Sequence, residues 1–425
     1  METIVALATA RGRAGVAIVR VSGPLAWEVC EKIAGRVPPV RQASLARLRS
    51  AGGELIDEGV VIVFDEGRSF TGESVCEFQV HGSVAVISAL LRACLAIEGV
   101  RAAEAGEFTR RAFLSGRLDL VQVEALADLI DAETEAQRRQ AQAVLDGSAR
   151  KVIDGWRDDL IEALAMLEAS LDFADEELPE GLAAMVLAPL ERVHQTLTAQ
   201  ISGRKAAETL REGFEVAIVG RVNAGKSSLL NCLAGREAAI TSDRAGTTRD
   251  VIEVRMEIGG LPVTLIDTAG LREAEDEIER VGIARGQRRA EDADLRVYLK
   301  DSPSDIPDGV RDGDIVVLSK CDLWGQDGIS ATMGIGIDEL VQRIETRLRQ
   351  QMKGSSVFSR ERHFNQLATA SRHLERARDG LDVGESWELV AEEVRLARRC
   401  LDGILGRIDV EDVLGRIFSS FCIGK

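Results

Sequence analysis

Short apolar runs open the chain. Thr3-Ile-Val-Ala-Leu7 and Gly15-Val-Ala-Ile-Val-Arg-Val21 are rich in β-branched residues and read as strands, whereas Ser83 to Ala96 is apolar over a helical length. Up to about Gly116 this predicts an α+β module. From Leu118 to about Leu210 Gly and Pro become sparse, and Ala, Leu, Glu, Arg and Gln recur at helical period, as in Val123 to Ile130 and Leu160 to Leu167. Long packed helices are expected there, with a break near Pro179-Glu-Gly181.

At Phe214-Glu-Val-Ala-Ile-Val219 the pattern becomes a continuous apolar strand that runs into a glycine-bearing loop. Leu261 to Ile266, Leu295 to Leu299 and Asp314 to Leu318 follow as strands alternating with helices, the sign of an α/β sheet. Helical composition returns from Arg360 to Leu405. The simplest reading is a helical domain split in sequence by an inserted α/β domain, since insertions are tolerated where a host's termini lie close. The expected boundaries are 1–117, 118–210, 211–351 and 352–425.

The chain has 425 residues, enough for about three domains. With 45% hydrophobic and 29% charged residues it can bury a core and is not a disordered polymer. Its net charge of −17 repels a phosphate backbone, so any nucleic-acid substrate must be held by a local basic patch or by a partner. No apolar run is long enough to span a membrane, and Met1-Glu-Thr-Ile4 lacks the pattern of a signal peptide. A cytoplasmic protein is expected. The seven cysteines and four histidines show no paired metal-ligand spacing, which argues against structural zinc and against a disulfide framework.

Gly220-Arg-Val-Asn-Ala-Gly-Lys-Ser227 fits G-x-x-x-x-G-K-S between a strand and a helical run. In that context the N–H groups of Asn223, Ala224, Gly225, Ser227 and Ser228 face phosphates, Lys226 neutralises their charge, and the Ser227 hydroxyl binds Mg²⁺. Asp267-Thr268-Ala269-Gly270 ends the next strand, where a carboxylate can reach Mg²⁺ through water and the Gly270 N–H can sense a γ-phosphate. Ser319-Lys320-Cys321-Asp322 closes another. Asp322 can accept from guanine N1 and N2, whereas adenine would oppose it with an acceptor, so the base should be guanine. The set resembles the translation-factor-related GTPases, whose fourth motif carries asparagine where Ser319 stands; the shorter hydroxyl reaches the base only through water. Ser330-Ala331 resembles their brief fifth motif.

Ras-like enzymes orient the attacking water with a glutamine after Asp-x-x-Gly, but Leu271 stands here. Glu279 is one candidate to replace it, and a solvated helix face is the other reading of its acidic segment. Asn223 either shapes its loop or helps hold a monovalent cation that neutralises transition-state charge. Thr248, in the loop that begins at Ser242, is the expected second Mg²⁺ ligand.

The flanking segments extend the resemblance. Gly15 to Gly23, Ser69-Phe-Thr-Gly-Glu73, Gly106-Glu-Phe-Thr-Arg-Arg-Ala-Phe113 and Asp412 to Lys425, with its Cys-Ile-Gly-Lys tail, are similar to the bacterial tRNA modification GTPases of the MnmE or TrmE family over nearly the whole chain. The resemblance implies a multidomain fold: an N-terminal α+β folate-binding and dimerising domain, a discontinuous all-α helical domain, and an inserted Ras-like α/β P-loop GTPase domain. It implies a homodimer that works with the FAD-containing flavoprotein MnmG (GidA), in a heterotetramer or larger complex. Together they install an aminomethyl or carboxymethylaminomethyl group at C5 of the wobble uridine of certain tRNAs. The tRNA is held mainly through the partner, and no membrane is involved.

The implied cofactors are Mg²⁺, K⁺ and a reduced folate, 5-formyl- or 5,10-methylene-tetrahydrofolate. The resemblance assigns potassium to Asn223, Ser242, Arg244 and Thr247, and adds Asp243, Ala245, Gly246 and Thr248 to the nucleotide loop. Glu279 falls on the family's catalytic glutamate. Folate falls on Arg20, Glu77, Arg117 and Lys425, with Arg117 where the family usually has lysine. Cys422 is either a participant in the one-carbon chemistry or a packing residue beside Phe418 and Phe421. A ribosome-assembly GTPase or a structural GTPase switch is the alternative; the first would need a basic RNA-binding module, and the flanking domains show no basic bias.

Overall fold

The computed structural model describes residues 2–172, 181–236, 253–267, 288–305, 309–408, 414–415, 417–418, 421 and 424. They divide into two compact units, 1–127 with 402–425, and 128–401.

The first unit is built on β1 (Thr3–Leu7), β2 (Ala14–Ser22), α1 (Ala26–Ala34), β3 (Ser44–Arg49), β4 (Leu55–Phe64), β5 (Val75–Gly82), α2 (Val84–Leu95), β6 (Val100–Ala102), α3 (Glu107–Leu114) and the start of α4 (Leu120–Asp131). Its six strands lie in the order β3-β4-β5-β2-β1-β6, antiparallel except for β1 with β6. Strand period puts Cys76, Phe78 and Val80 of β5 into the core with α1 and α2, and turns Glu77, Gln79 and His81 to the other face. Ser83 accepts a hydrogen bond from the Val86 amide at 3.1 Å, so this serine is the N-cap of α2. The second sheet face is covered at one end by Phe108, packed on Ile4 and Ala6 with Phe70 beside it. Residues near the chain's end belong to this unit: Phe418 and Phe421 pack with Val123 and Phe113. Gly424 lies so close to β1 that a Cβ would sit 2.0 Å from the Leu7 carbonyl oxygen, at a φ of +104°. Glycine alone fits there.

In the second unit α5 (Glu135–Leu145), α6 (Ser148–Asp172), α7 (Leu182–Ser202) and α8 (Arg204–Glu212) precede β7 (Phe214–Gly220) and α9 (Lys226–Arg236). Then come β8 (Glu253–Ile258), β9 (Leu261–Asp267), β10 (Leu295–Lys300), β11 (Ile315–Leu318), α10 (Cys321–Trp324), α11 (Ile337–Gln351), α12 (Glu361–Val383) and α13 (Trp387–Ile404). The sheet order is β11-β10-β7-β9-β8, parallel except for the β8 edge. β7 is apolar along its length because a parallel sheet is covered on both faces; α9 and α11 supply Leu229, Leu233, Leu340 and Ile344 to its core. Among the helices, the Trp156 indole donates to Thr196 at 2.8 Å and stacks on Phe358, while Arg360 pairs with Asp128. The two helical stretches separated in sequence by the α/β sheet therefore pack together.

No helix among the described residues is long and apolar enough to cross a membrane.

Candidate functional site

The phosphate loop starts where β7 meets β10. Gly220 faces Leu299 so closely that a Cβ would lie 2.5 Å from the Leu299 carbonyl oxygen, at a φ of +148°. The chain then turns through Asn223, whose backbone is left-handed at +61°, a state asparagine adopts at lower cost than most residues, and enters α9 at Lys226. Lys226 is buried, and its ammonium donates to the carbonyls of Gly220 at 2.9 Å and Arg221 at 2.8 Å. The Ser227 hydroxyl donates to Asp267 Oδ2 at 2.6 Å. Two separate motifs, the loop serine and the carboxylate at the end of β9, thus meet at one point. Ser228 follows on the exposed side of α9.

The loop after β11 closes on the same place. Ser319 is buried, and both its amide and its hydroxyl donate to the Lys300 carbonyl, at 2.8 and 2.9 Å. Its hydroxyl proton therefore serves the end of β10. Lys320 reaches back to the Asn223 carbonyl oxygen at 2.6 Å. Asp322 is exposed in the first turn of α10. Ser330 is buried and exchanges backbone hydrogen bonds with Ile335, and half-buried Ala331 packs against the sheet core. All of these loops lie beyond the carboxyl ends of parallel strands, where ligands of open α/β sheets bind. Ser242, Asp243, Arg244, Ala245, Gly246, Thr247, Thr248, Thr268, Ala269, Gly270 and Glu279 lie outside the described residues, as do Cys422 and Lys425.

In the first unit the register Ala6–Arg20–Glu77 crosses three strands. Arg20 Nε donates to Glu77 Oε1 at 2.8 Å, and its guanidinium lies 5.7 Å from the Phe70 ring centre and 5.8 Å from that of Phe108. Arg117 donates to the Gly67 carbonyl at 3.0 Å, against the loop that carries Phe70.

Sequence reading missed the polar lattice behind that loop. Buried Arg111 donates to Glu73 at 2.8 Å and to Glu107 at 3.0 Å, and Ser22 also donates to Glu73 at 2.8 Å. Arg101 grips Glu107 with two further bonds, at 2.6 and 2.8 Å. Burial alone would raise the Glu107 carboxyl, but the bonds from Arg101, the Glu104 amide and Arg111 outweigh it and hold the pKa at about 2. The i,i+4 spacing of Glu107 and Arg111 was the one signal available. Cys30, Cys76 and Cys94 lie together in the sheet core, where burial raises the thiols of Cys76 and Cys94, the latter to about 12, the state of inert packing residues.

Strand, phosphate loop, helix and strand-end carboxylate define the second unit's sheet as a P-loop GTPase domain. The family model "MnmE helical domain" matches residues 120–422, and "GTP-binding protein TrmE N-terminus" matches residues 3–117. The chain is 52% identical over 429 residues to a "tRNA modification GTPase MnmE" of Cereibacter sphaeroides, and 51% identical over 428 residues to one of Ruegeria pomeroyi, covering 100% of both chains each time. Among solved structures, the G domain of the T. maritima FeoB iron transporter is 24% identical, covering 32% of this chain and 98% of that one, at a TM-score of 0.24. This chain belongs to the MnmE (TrmE) family of tRNA modification GTPases.

Proposed function

We propose that this protein hydrolyses GTP, with stimulation by potassium, to drive modification of the wobble uridine at C5 in certain tRNAs. It acts as a cytoplasmic homodimer with the FAD-containing flavoprotein MnmG (GidA), and takes its one-carbon unit from a reduced folate. The observation that carries the reading is the meeting of the Ser227 hydroxyl and the Asp267 carboxylate at 2.6 Å beside a buried Lys226.

Two hard oxygen donors in that position suit Mg²⁺, with Ser227 and Thr248 as its protein ligands. When bound, the ion supplies positive charge to the phosphate oxygens. Lys226 gives up its carbonyl partners to meet the same charge, and the amides of the loop orient the phosphates. Asp322 selects guanine by accepting from N1 and N2. Glu279 holds the attacking water. The Asn223 side chain is exposed and bonds to no described residue, which leaves it available to a potassium ion together with Ser242, Arg244 and Thr247.

For the folate, Arg20, Glu77, Arg117 and Lys425 form the binding set. A guanidinium flanked by two aromatic rings and a carboxylate suits a flat ring bearing hydrogen-bond donors on one edge. Gly424 packs on Leu7 of β1, one register step from the Ala6–Arg20 pair, and the reading gives Cys422, two residues before it in sequence, a part in the one-carbon chemistry. The acidic surface, at a net charge of −17, is consistent with tRNA held mainly by the partner.

The test is turnover of GTP against ATP by the purified protein and by Lys226→Ala. GTP-selective hydrolysis that disappears in the variant supports the reading; equal use of both nucleotides, or an active variant, refutes it.

A further inference from the structure

We infer that Asp305 is a positioning residue of the phosphate loop, acting through Arg221 on the turn that cradles Lys226. The inference rests on the nucleotide-binding reading given above.

β10 runs beside the phosphate loop, with Leu299 in register with Gly220. Just past that strand the chain folds back: the Asp305 amide donates to the Ser302 carbonyl at 3.1 Å, and the Lys300 ammonium donates to the Pro303 carbonyl at 3.1 Å. This brings the Asp305 carboxylate against Arg221, the first residue after Gly220. The Asp305 side chain is 0% exposed and Arg221 Nε lies 3.2 Å from its Oδ1, while the Arg221 side chain is 62% exposed. Among the described residues, neither carboxylate oxygen accepts a hydrogen bond. A carboxylate shut off from water is costly unless a cation faces it, and among the described residues Arg221 is the one that pairs with it.

Arg221 is also the hinge of the loop. Its carbonyl accepts from the Lys226 ammonium at 2.8 Å and from the Ala224 amide at 3.2 Å, closing the turn that holds Asn223 left-handed. The residue is thus anchored through its side chain and engaged through its backbone. When nucleotide enters, Lys226 must exchange those carbonyls for phosphate oxygens, and the anchored Arg221 keeps the loop in shape while it does. Asp305 therefore sets affinity for GTP and GDP alike, with little bearing on the hydrolytic step.

Calorimetric titration of GTP and GDP into the full-length protein, its Asp305→Asn and Arg221→Gln variants and the double variant tests this. Each single change should raise both Kd values about tenfold, the lower end of losses seen for partners one step removed from a bound ion. The double variant should be no weaker than either single one, because the two residues act as a unit. KM for GTP should rise far more than kcat falls. Arg221→Gln alters an exposed side chain and reports even if Asp305→Asn fails to fold. A lower melting temperature with unchanged nucleotide Kd in either single variant, or additive losses in the double one, overturns the inference while leaving the nucleotide site intact. Absence of guanine-nucleotide binding by the unmutated protein overturns both.

Discussion

Lys320 donates its ammonium to the Asn223 carbonyl oxygen at 2.6 Å, and both residues hold a left-handed backbone, with φ of 53° and 61°. Lysine is rarely left-handed, at a cost of order 1–3 kcal/mol, so its surroundings must hold it there. The bond ties the loop proposed to read the base to the loop proposed to hold the phosphates. Replacing Lys320 with Met removes a charged hydrogen bond, about 1.5–3 kcal/mol, and should weaken GTP and GDP binding at least about tenfold. A fluorescent-nucleotide titration reads this directly, and unchanged affinity would show that the two loops hold their places independently.

The Arg111 lattice makes a stability prediction. Arg111→Met leaves Glu73 and Glu107 in a buried setting with one cation fewer, and breaking such a pair costs about 3–5 kcal/mol. Urea denaturation should show a midpoint lowered accordingly. A midpoint within experimental error of the parent would mean that water replaces the arginine at no cost.

Acid sensitivity follows from Glu107. Its carboxyl is depressed from an ordinary 4.5 to about 2, so the folded state binds this proton less readily than the unfolded chain. The associated stability is fully present above pH 4.5 and is lost as the pH falls towards 2. Glu107→Gln should reduce the slope of stability against pH in that window and leave a lower, flatter curve above it. An unaltered acid limb would remove Glu107 from the explanation.

Arg20 is the anchor of the proposed folate set. Arg20→Ala removes the partner of Glu77 and the cation between Phe70 and Phe108, and calorimetry should show binding of 5-formyltetrahydrofolate reduced beyond detection. Retained affinity moves the folate elsewhere.

How much of this could be read from sequence depends on how local each signal is. β7, Gly220 and Lys226 were legible because a doubly covered strand leaves an unbroken apolar run, and the loop's glycines and lysine sit at fixed spacing. β8 was not. It is a short edge strand, Glu253–Ile258, in which Glu253, Arg255 and Glu257 alternate with Val254, Met256 and Ile258. β3, β4 and β5 were not singled out either, although Cys76, Phe78 and Val80 alternating with Glu77, Gln79 and His81 is the pattern of a strand with one face in the core. The meeting of Ser227 with Asp267 could be anticipated from the two motifs, whereas the ion pairs of Arg111 join segments 38 positions apart and have no local signature beyond Glu107. The use of the Ser319 hydroxyl by Lys300 likewise depends on how closely β10 and β11 are paired.

The most direct test of the whole account is mass spectrometry of wobble uridines from a strain lacking this gene, complemented with the intact gene or with Ser227→Ala. The account predicts that the C5 modification is absent from the deletion strain, restored by the intact gene and not restored by the variant. Full modification in the deletion strain, or equal rescue by Ser227→Ala, would contradict it.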